Sequence, residues 1–339
     1  MIPKAFGPAF AGLCFLVIAD SSTAFDSGCV AASDIGVSID SEIFKSAADL
    51  IDSARFRINV EMYTFQQKSL AKKLAEKKKQ GVIVRVILDV EPEGNEQVRQ
   101  FLLEQGIDTR YFPKKPGQID HMKIVVADNR GMVSGANWGL HSPENHDVAV
   151  SFSGDAVKCL NRIFEDDWRL SKIEKPVPEA EKTGEISGKC DCPDGTIRIL
   201  SDRDIRREIV RQIRQAKQTI FVSMFTFTDN HLLKLLSRAA KKGKDVRIIL
   251  DPGQECNGLT TKLMKQYKIP VRLADVQPGR LLHMKLGIFD GRTSVLGSAN
   301  WTLGGFNVNH ECVLVTREMK VLKRLMKMFE SDWAKAGKQ

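Results

Sequence analysis

The chain has 339 residues, 42% of them hydrophobic, which is enough for a buried core and argues against a disordered polypeptide. Its formal net charge of +9 is unevenly spread: residues 25–173 carry 20 basic and 22 acidic side chains, and residues 196–339 carry 27 and 13. Such a field concentrates anions, so an anionic partner is expected, and past the amino terminus no segment is apolar enough to cross a membrane.

The chain begins Met1-Ile2-Pro3-Lys4, continues with an apolar stretch over 5–19, and then presents Ser22 and Ala24 at spacings suited to a cleavage site. Residues 1–24 are therefore expected to be a signal peptide, giving a periplasmic or secreted protein; the alternative is an uncleaved anchor. Removing that segment leaves six cysteines of the seven, an even number compatible with disulfides in an oxidising compartment. Cys159 and Cys312 sit in apolar runs and are expected to act as small hydrophobes. The pair Cys190 and Cys192 suits a metal or a redox couple, but with no second such pair nearby it is a weak signal.

An internal repeat organises the rest. The halves align without a gap at an offset of 162 from about residue 60 to residue 128. Thus Val60-Glu61-Met62-Tyr63-Thr64-Phe65 matches Val222-Ser223-Met224-Phe225-Thr226-Phe227. Later, Asn145-His146-Asp147 matches Asn309-His310-Glu311. In the first copy the hydrophobic periods predict helices near 42–54, 68–80 and 94–105, and strands near 56–65, 82–89, 107–112, 121–127 and 130–135. The second copy repeats that order. Strands alternating with helices imply an α/β fold with a mixed or mostly parallel sheet covered on both faces. The domains are then 25–173 and 196–339, joined by a linker at 174–195 that is rich in charge, Pro and Gly.

Each copy carries His-Met-Lys with an Asp downstream: His121, Lys123 and Asp128, then His283, Lys285 and Asp290. On a strand, residues two apart share a face, so each His and Lys is expected to point the same way. Downstream stand Gly135-Ala136-Asn137-Trp138 and Ser298-Ala299-Asn300-Trp301. A single His-x-Lys means little, but its recurrence at matching positions points to chemistry on a phosphate. Trp138 and Trp301 are expected in the core rather than stacked on a base. No His-Glu-x-x-His, phosphate loop or dense carboxylate group is evident, so the reaction is expected to need no metal and no cofactor.

These paired elements resemble the phospholipase D superfamily, whose signature is His-x-Lys-x(4)-Asp with a downstream Gly-Ser-x-Asn. The resemblance covers nearly all of the chain after residue 24. It implies duplicated α/β/α sandwich half-domains packed about a pseudo-twofold axis, with both His-Lys pairs converging on one phosphodiester. His121 would attack phosphorus, and His283 would protonate the leaving oxygen and then activate water. Lys123, Lys285, Asn137, Asn300 and Ser298 would bind the phosphate oxygens. Glu311 and Asp147 would hold the second ring nitrogen of the histidines, as in catalytic triads generally. Asp128 and Asp290 would tie strand ends to the opposing copy, with His146 and His310 as scaffold or rim. The first copy departs from the pattern in having Ser134-Gly135 where the second has Gly297-Ser298, and an Asp where the second has Glu311.

Compactness and the basic second half favour nucleic acid as substrate. The alternative is phospholipid, through headgroup hydrolysis or cardiolipin-type phosphatidyl transfer, with contact at a membrane surface. A non-catalytic polyanion-binding module is a third reading, disfavoured by the survival of both His-Lys pairs. No obligate protein partner is expected.

Overall fold

The computed structural model describes residues 34–171, 190–191 and 196–338; the expected signal peptide and nearly all of the linker lie outside these residues. The first half begins with β1 (Gly36–Ile39), α1 (Glu42–Ser53), β2 (Arg57–Met62), α2 (Lys68–Lys79), β3 (Ile83–Leu88), α3 (Asn95–Glu104) and β4 (Asp108–Tyr111). It closes with β5 (Lys123–Ala127), β6 (Arg130–Ser134), β7 (Val148–Ser153) and α4 (Asp155–Leu170). The second half follows with β8 (Cys190–Asp191), β9 (Ile197–Ser201), α5 (Arg203–Gln215), β10 (Thr219–Met224), α6 (Asn230–Lys241), β11 (Asp245–Leu250), α7 (Glu255–Gln266) and β12 (Val271–Leu273). It ends with β13 (Lys285–Phe289), β14 (Thr293–Gly297), α8 (Leu303–Asn307), β15 (Cys312–Thr316), α9 (Met319–Lys335) and β16 (Gly337–Lys338).

The first sheet runs β1-β7-β6-β5-β2-β3-β4 and the second β16-β12-β11-β10-β13-β14-β15-β9-β8. Both are mixed: β2, β3 and β4 are parallel, as are β10, β11 and β12, while β5 and β13 join their sheets antiparallel. The order explains the burial. Every residue of β5 and β13 is buried, because these central strands are covered on both faces. Helix α1 buries Ile43, Ala47, Leu50 and Ile51, a stripe at helical spacing that packs on the outer face of its sheet. The sheet faces turned toward the other half share one core with α4 and α9, in which Phe164, Leu286, Leu325 and Phe329 meet. Each half is thus an α/β/α sandwich, and the two are joined by a common hydrophobic interior.

Three expectations need correction here. The strands expected at 121–127 and its counterpart begin at Lys123 and Lys285, so the two histidines precede them. The preceding segments instead pair across the halves, Asp120 with His310 and His146 with Leu282. His121 N–H donates to His310 O at 2.8 Å and His283 N–H to His146 O at 2.9 Å, and that exchange displaces the intrasheet ladder. The motif aspartates are structural, but within their own halves. Asp128 accepts the N–H groups of Arg55, Phe56 and Arg57, and Asp290 those of Lys217, Gln218 and Thr219. Each sits at positive φ in a tight turn, which aims its carboxylate back at the neighbouring strand start. Finally, Cys159 is disulfide-bonded rather than a free thiol. Cys312 is the buried free cysteine that was expected, its thiol pushed up by burial.

Candidate active site

The loops that enter β5 and β13 are held by buried side chains that occupy equivalent places in the repeat. Asp89 accepts the N–H of Asp120, and Asp251 accepts that of Leu282, both at 2.7 Å. Asn95 donates to the carbonyls of Tyr63 and Asp89, and Asn257 to those of Phe225 and Asp251. With these loops pinned, His121 and His283 come to lie at the junction of the halves, 6% and 7% exposed.

Each histidine is oriented by the carboxylate of the opposite half. His121 Nδ1 lies 3.0 and 2.9 Å from the two oxygens of Glu311, and His283 Nδ1 lies 2.6 Å from Asp147 Oδ2. Both Nδ1 atoms are therefore committed, and the Nε2 atoms remain for a substrate. Tyr63 packs edge-on against the His121 ring at 4.9 Å, and Phe225 packs against His283 at 4.8 Å. These two rings, at equivalent repeat positions, were not singled out from the sequence; their match at the shared offset was the available clue.

Lys123 and Lys285 are almost fully buried. Lys123 Nζ donates to His121 O at 2.7 Å, and Lys285 Nζ lies 2.9 Å from His283 Nδ1. Burial pushes Lys123 down to about 7, opposed by Glu311 and assisted by the neighbouring Lys285. Lys285 is pushed down to about 8 by burial, opposed by Asp147 and Glu311. His283 falls to about 4, through burial first and Lys285 second, and His121 is lowered chiefly by burial. Burial pushes the Glu311 carboxyl up, but His121 and Lys123 outweigh it and hold that group below the usual carboxylate range. The site is thus two neutral imidazoles beside two lysines that desolvation has made reluctant to carry charge. An entering anion relieves that reluctance, because opposite charge favours the protonated form of each base.

Asn137 and Asn300 are partly buried, and the Oδ1 atom of each is buried without a partner. The hydroxyl of Ser298, expected to face phosphate, is engaged by protein groups in this structure. Ser298 Oγ accepts from Cys312 N at 2.9 Å, and its one hydrogen is shared between Cys312 O at 3.2 Å and the Glu311 carboxylate. It braces the segment that carries Glu311. The reversed order in the first half also has a steric reason: a Cβ at Gly135 would stand 2.2 Å from Asp147 Oδ1, so a serine there would collide with the acid that serves His283. Trp138 and Trp301 are core residues, packed edge-on against Phe65 and Phe227.

A family model described as "Cardiolipin synthase, PLD-like domain" matches residues 48–168 and 209–333, the bulk of both repeats. The chain belongs to this phospholipase D-like family. It is therefore an enzyme of the phospholipase D superfamily by descent as well as by site. It is similar to "Cardiolipin synthase A" of Pseudomonas entomophila, 25% identical over 348 residues, covering 91% of this chain and 70% of the relative. It is also similar to "Cardiolipin synthase 1" of Bacillus anthracis, 24% identical over 331 residues, covering 86% of this chain and 64% of that protein. Among solved structures, "phosphatidylserine synthase" of Haemophilus influenzae Rd KW20 superposes with a TM-score of 0.74 over 92% of this chain and 88% of that one, at 14% identity. That likeness confirms the fold.

One further group of side chains was not legible in the sequence. Glu61, Asp120 and His310 converge beside the His121–Glu311 pair, all buried. His146 and His310 both bridge the halves: His146 contacts Asp40 and Asp332, and His310 contacts Asp202 and Asp167.

Proposed function

We propose that the protein transfers phosphatidyl groups between phospholipids, forming cardiolipin-type products from phosphatidylglycerol-type substrates. The observation that carries this reading is the crossed pair of His–acid couples, one nucleophile and one proton carrier at a single phosphate, in a chain whose relatives are named cardiolipin synthases. The expectation that nucleic acid is preferred finds no comparable support. The chain spans about two thirds of the length of those relatives, so their activity is carried here as a proposal.

In the first step His121 Nε2 attacks phosphorus as the bond from phosphorus to the leaving glycerol oxygen breaks. His283 Nε2–H supplies the proton to that oxygen. Negative charge from the phosphodiester lifts the His283 pKa from its low value in the empty site, which makes this protonated form accessible. Lys123, Lys285 and the two asparagine amides face the charge that grows on the non-bridging oxygens. In the second step neutral His283 takes the proton of an incoming hydroxyl, that oxygen bonds to phosphorus, and the phosphorus–nitrogen bond breaks to restore neutral His121. An alcohol acceptor gives transfer; water gives hydrolysis through the same two steps.

The test incubates purified protein with phosphatidylglycerol vesicles and, separately, with phosphatidylcholine vesicles, single-stranded DNA, double-stranded DNA and RNA. Cardiolipin and free glycerol in equal amounts from phosphatidylglycerol support the reading. Cleavage of nucleic acid with no lipid turnover overturns it in favour of a nuclease. Export would bring such an enzyme to the outer face of a bilayer, and we propose that location with the activity.

A further inference from the structure

We propose that a divalent transition-metal cation, of the Zn²⁺ or Mn²⁺ kind, binds between the two halves at Glu61, Asp120 and His310. One ligand atom from each lies within 4.8 Å of the others, and the three residues are 0%, 0% and 3% exposed. Both Glu61 oxygens and Asp120 Oδ2 are buried without hydrogen bonds, and His310 Nε2 has only Asp167 Oδ2 beside it. A buried carboxylate with no partner is costly, and either a proton or a bound cation relieves that cost. Asp167 belongs to the group: its Oδ2 pairs with His310 Nε2 at 3.1 Å, a contact that a bound metal would take over.

The imidazole is set up for metal. His310 Nδ1 is bonded to both oxygens of Asp202 at 3.0 and 3.1 Å, and its ring is stacked on Phe112 at 4.7 Å. A carboxylate on one ring nitrogen that leaves the other facing a ligand cluster is the arrangement that orients metal-binding histidines. One nitrogen with carboxylate oxygens suits Zn²⁺ or Mn²⁺, whereas Ca²⁺ and Mg²⁺ take oxygen ligands. Bonds of about 2.0–2.2 Å need the donors to close in further.

The internal repeat supplies a comparison. His146, the counterpart of His310, has Nδ1 on Asp40 at 2.7 Å and Nε2 on Asp332 at 2.9 Å, just as His310 has Nδ1 on Asp202 and Nε2 3.1 Å from Asp167, so the difference between the two places lies in the neighbouring carboxylates. The positions equivalent to Glu61 and Asp120 are Ser223 and Leu282, which carry no charge. The first half thus carries two carboxylates at positions where the second has none. Asp120 precedes His121 and His310 precedes Glu311, so an ion here would clamp together the two segments that present the nucleophile couple. Its role would be positioning, since no ligand reaches the reacting atoms.

The experiment uses the untagged full chain. Metal content is measured on protein purified from medium supplemented with zinc and manganese. After dialysis against chelator, Zn²⁺, Mn²⁺, Ca²⁺ and Mg²⁺ are titrated singly with calorimetry and thermal melts. The expected result is one Zn²⁺ or Mn²⁺ per chain, with a melting temperature several degrees higher, and loss of both in Glu61→Gln. The Asp120→Asn variant gives the same reading should Glu61→Gln not fold, and Ser223→Ala at the twin position retains full binding. No bound ion in wild type at millimolar metal, binding of Ca²⁺ or Mg²⁺ alone, or equal binding by wild type and both carboxamide variants overturns the proposal and leaves shared protons as the compensating charge.

Discussion

Asp147→Asn is the most exacting test of the crossed arrangement. The carboxylate is buried, Oδ2 meets His283 Nδ1 at 2.6 Å, and Oδ1 accepts from Val148 N at 2.9 Å. Asparagine has the same shape and retains the Val148 bond through its oxygen, which turns its NH₂ toward His283. The imidazole must then accept at Nδ1 and carry its proton on Nε2, the reverse of the tautomer that removes a proton from an acceptor hydroxyl. A lost charge-assisted hydrogen bond is worth about 1.5–3 kcal/mol. A wrong tautomer in a comparable triad costs about 10⁴ in kcat. The expected loss is therefore on the order of 10²–10⁴ in kcat, with KM changed by less than about threefold, because substrate contacts survive. The charge effect adds a signature: Asp147 raises the His283 pKa, so its loss lowers it further. A step that needs protonated His283 then fails at lower pH, and the alkaline limb of the rate profile moves toward acid. The assay is phosphatidylglycerol turnover from pH 5 to 9, with melting temperature as the folding control. A kcat within threefold of wild type and an unmoved alkaline limb would refute the reasoning.

His121→Ala and His283→Ala each abolish turnover on vesicles, since each couple fills a role the other cannot fill in the same step; near-normal lipid turnover in either would sink the shared site. His283→Ala still labels at His121 when the substrate carries a leaving group that needs no proton, which quench-flow with a p-nitrophenyl diester detects. Asp290→Ala strips three backbone N–H groups of their acceptor and destabilises by about 2 kcal/mol, read from the urea midpoint, while activity per folded molecule stays within a few-fold. Because the folded-state pKa of His283 is lowered to about 4, the unfolded chain binds its proton first. Stability from this group is full above about pH 6.5 and falls as pH drops toward 4. His283→Gln should flatten that part of the wild-type melting curve against pH, and an unchanged slope would show the assignment wrong. Neutralising the exposed Lys234, Arg238 and Lys241 of α6 and Lys242 just after it to Gln weakens binding to anionic vesicles and reduces its salt dependence; the matching change at Lys72, Lys73, Lys77 and Lys78 does so less. Equal losses would show that charge per half does not govern binding.

The duplication made most of this protein legible in its sequence. Repeated periods located the expected helices and strands to within about three residues, β2 ending at Met62 where 65 was expected, because burial of a helix stripe or a central strand is written in local spacing. The same repetition singled out His121, Lys123, His283, Lys285, Glu311 and Asp147. What it could not assign was which acid serves which histidine. His121 and Glu311 are separated by 190 residues, and His283 and Asp147 by 136, so only the packing of one half on the other decides that the couples cross. Asp128 and Asp290 turned back on their own strands, and Ser298 was drawn to Cys312, because unsatisfied backbone groups nearby claimed them first. The cluster of Glu61, Asp120 and His310 belongs to the same class. Its members lie on separate segments with no common spacing, and the tertiary fold alone brings their ligand atoms to one point.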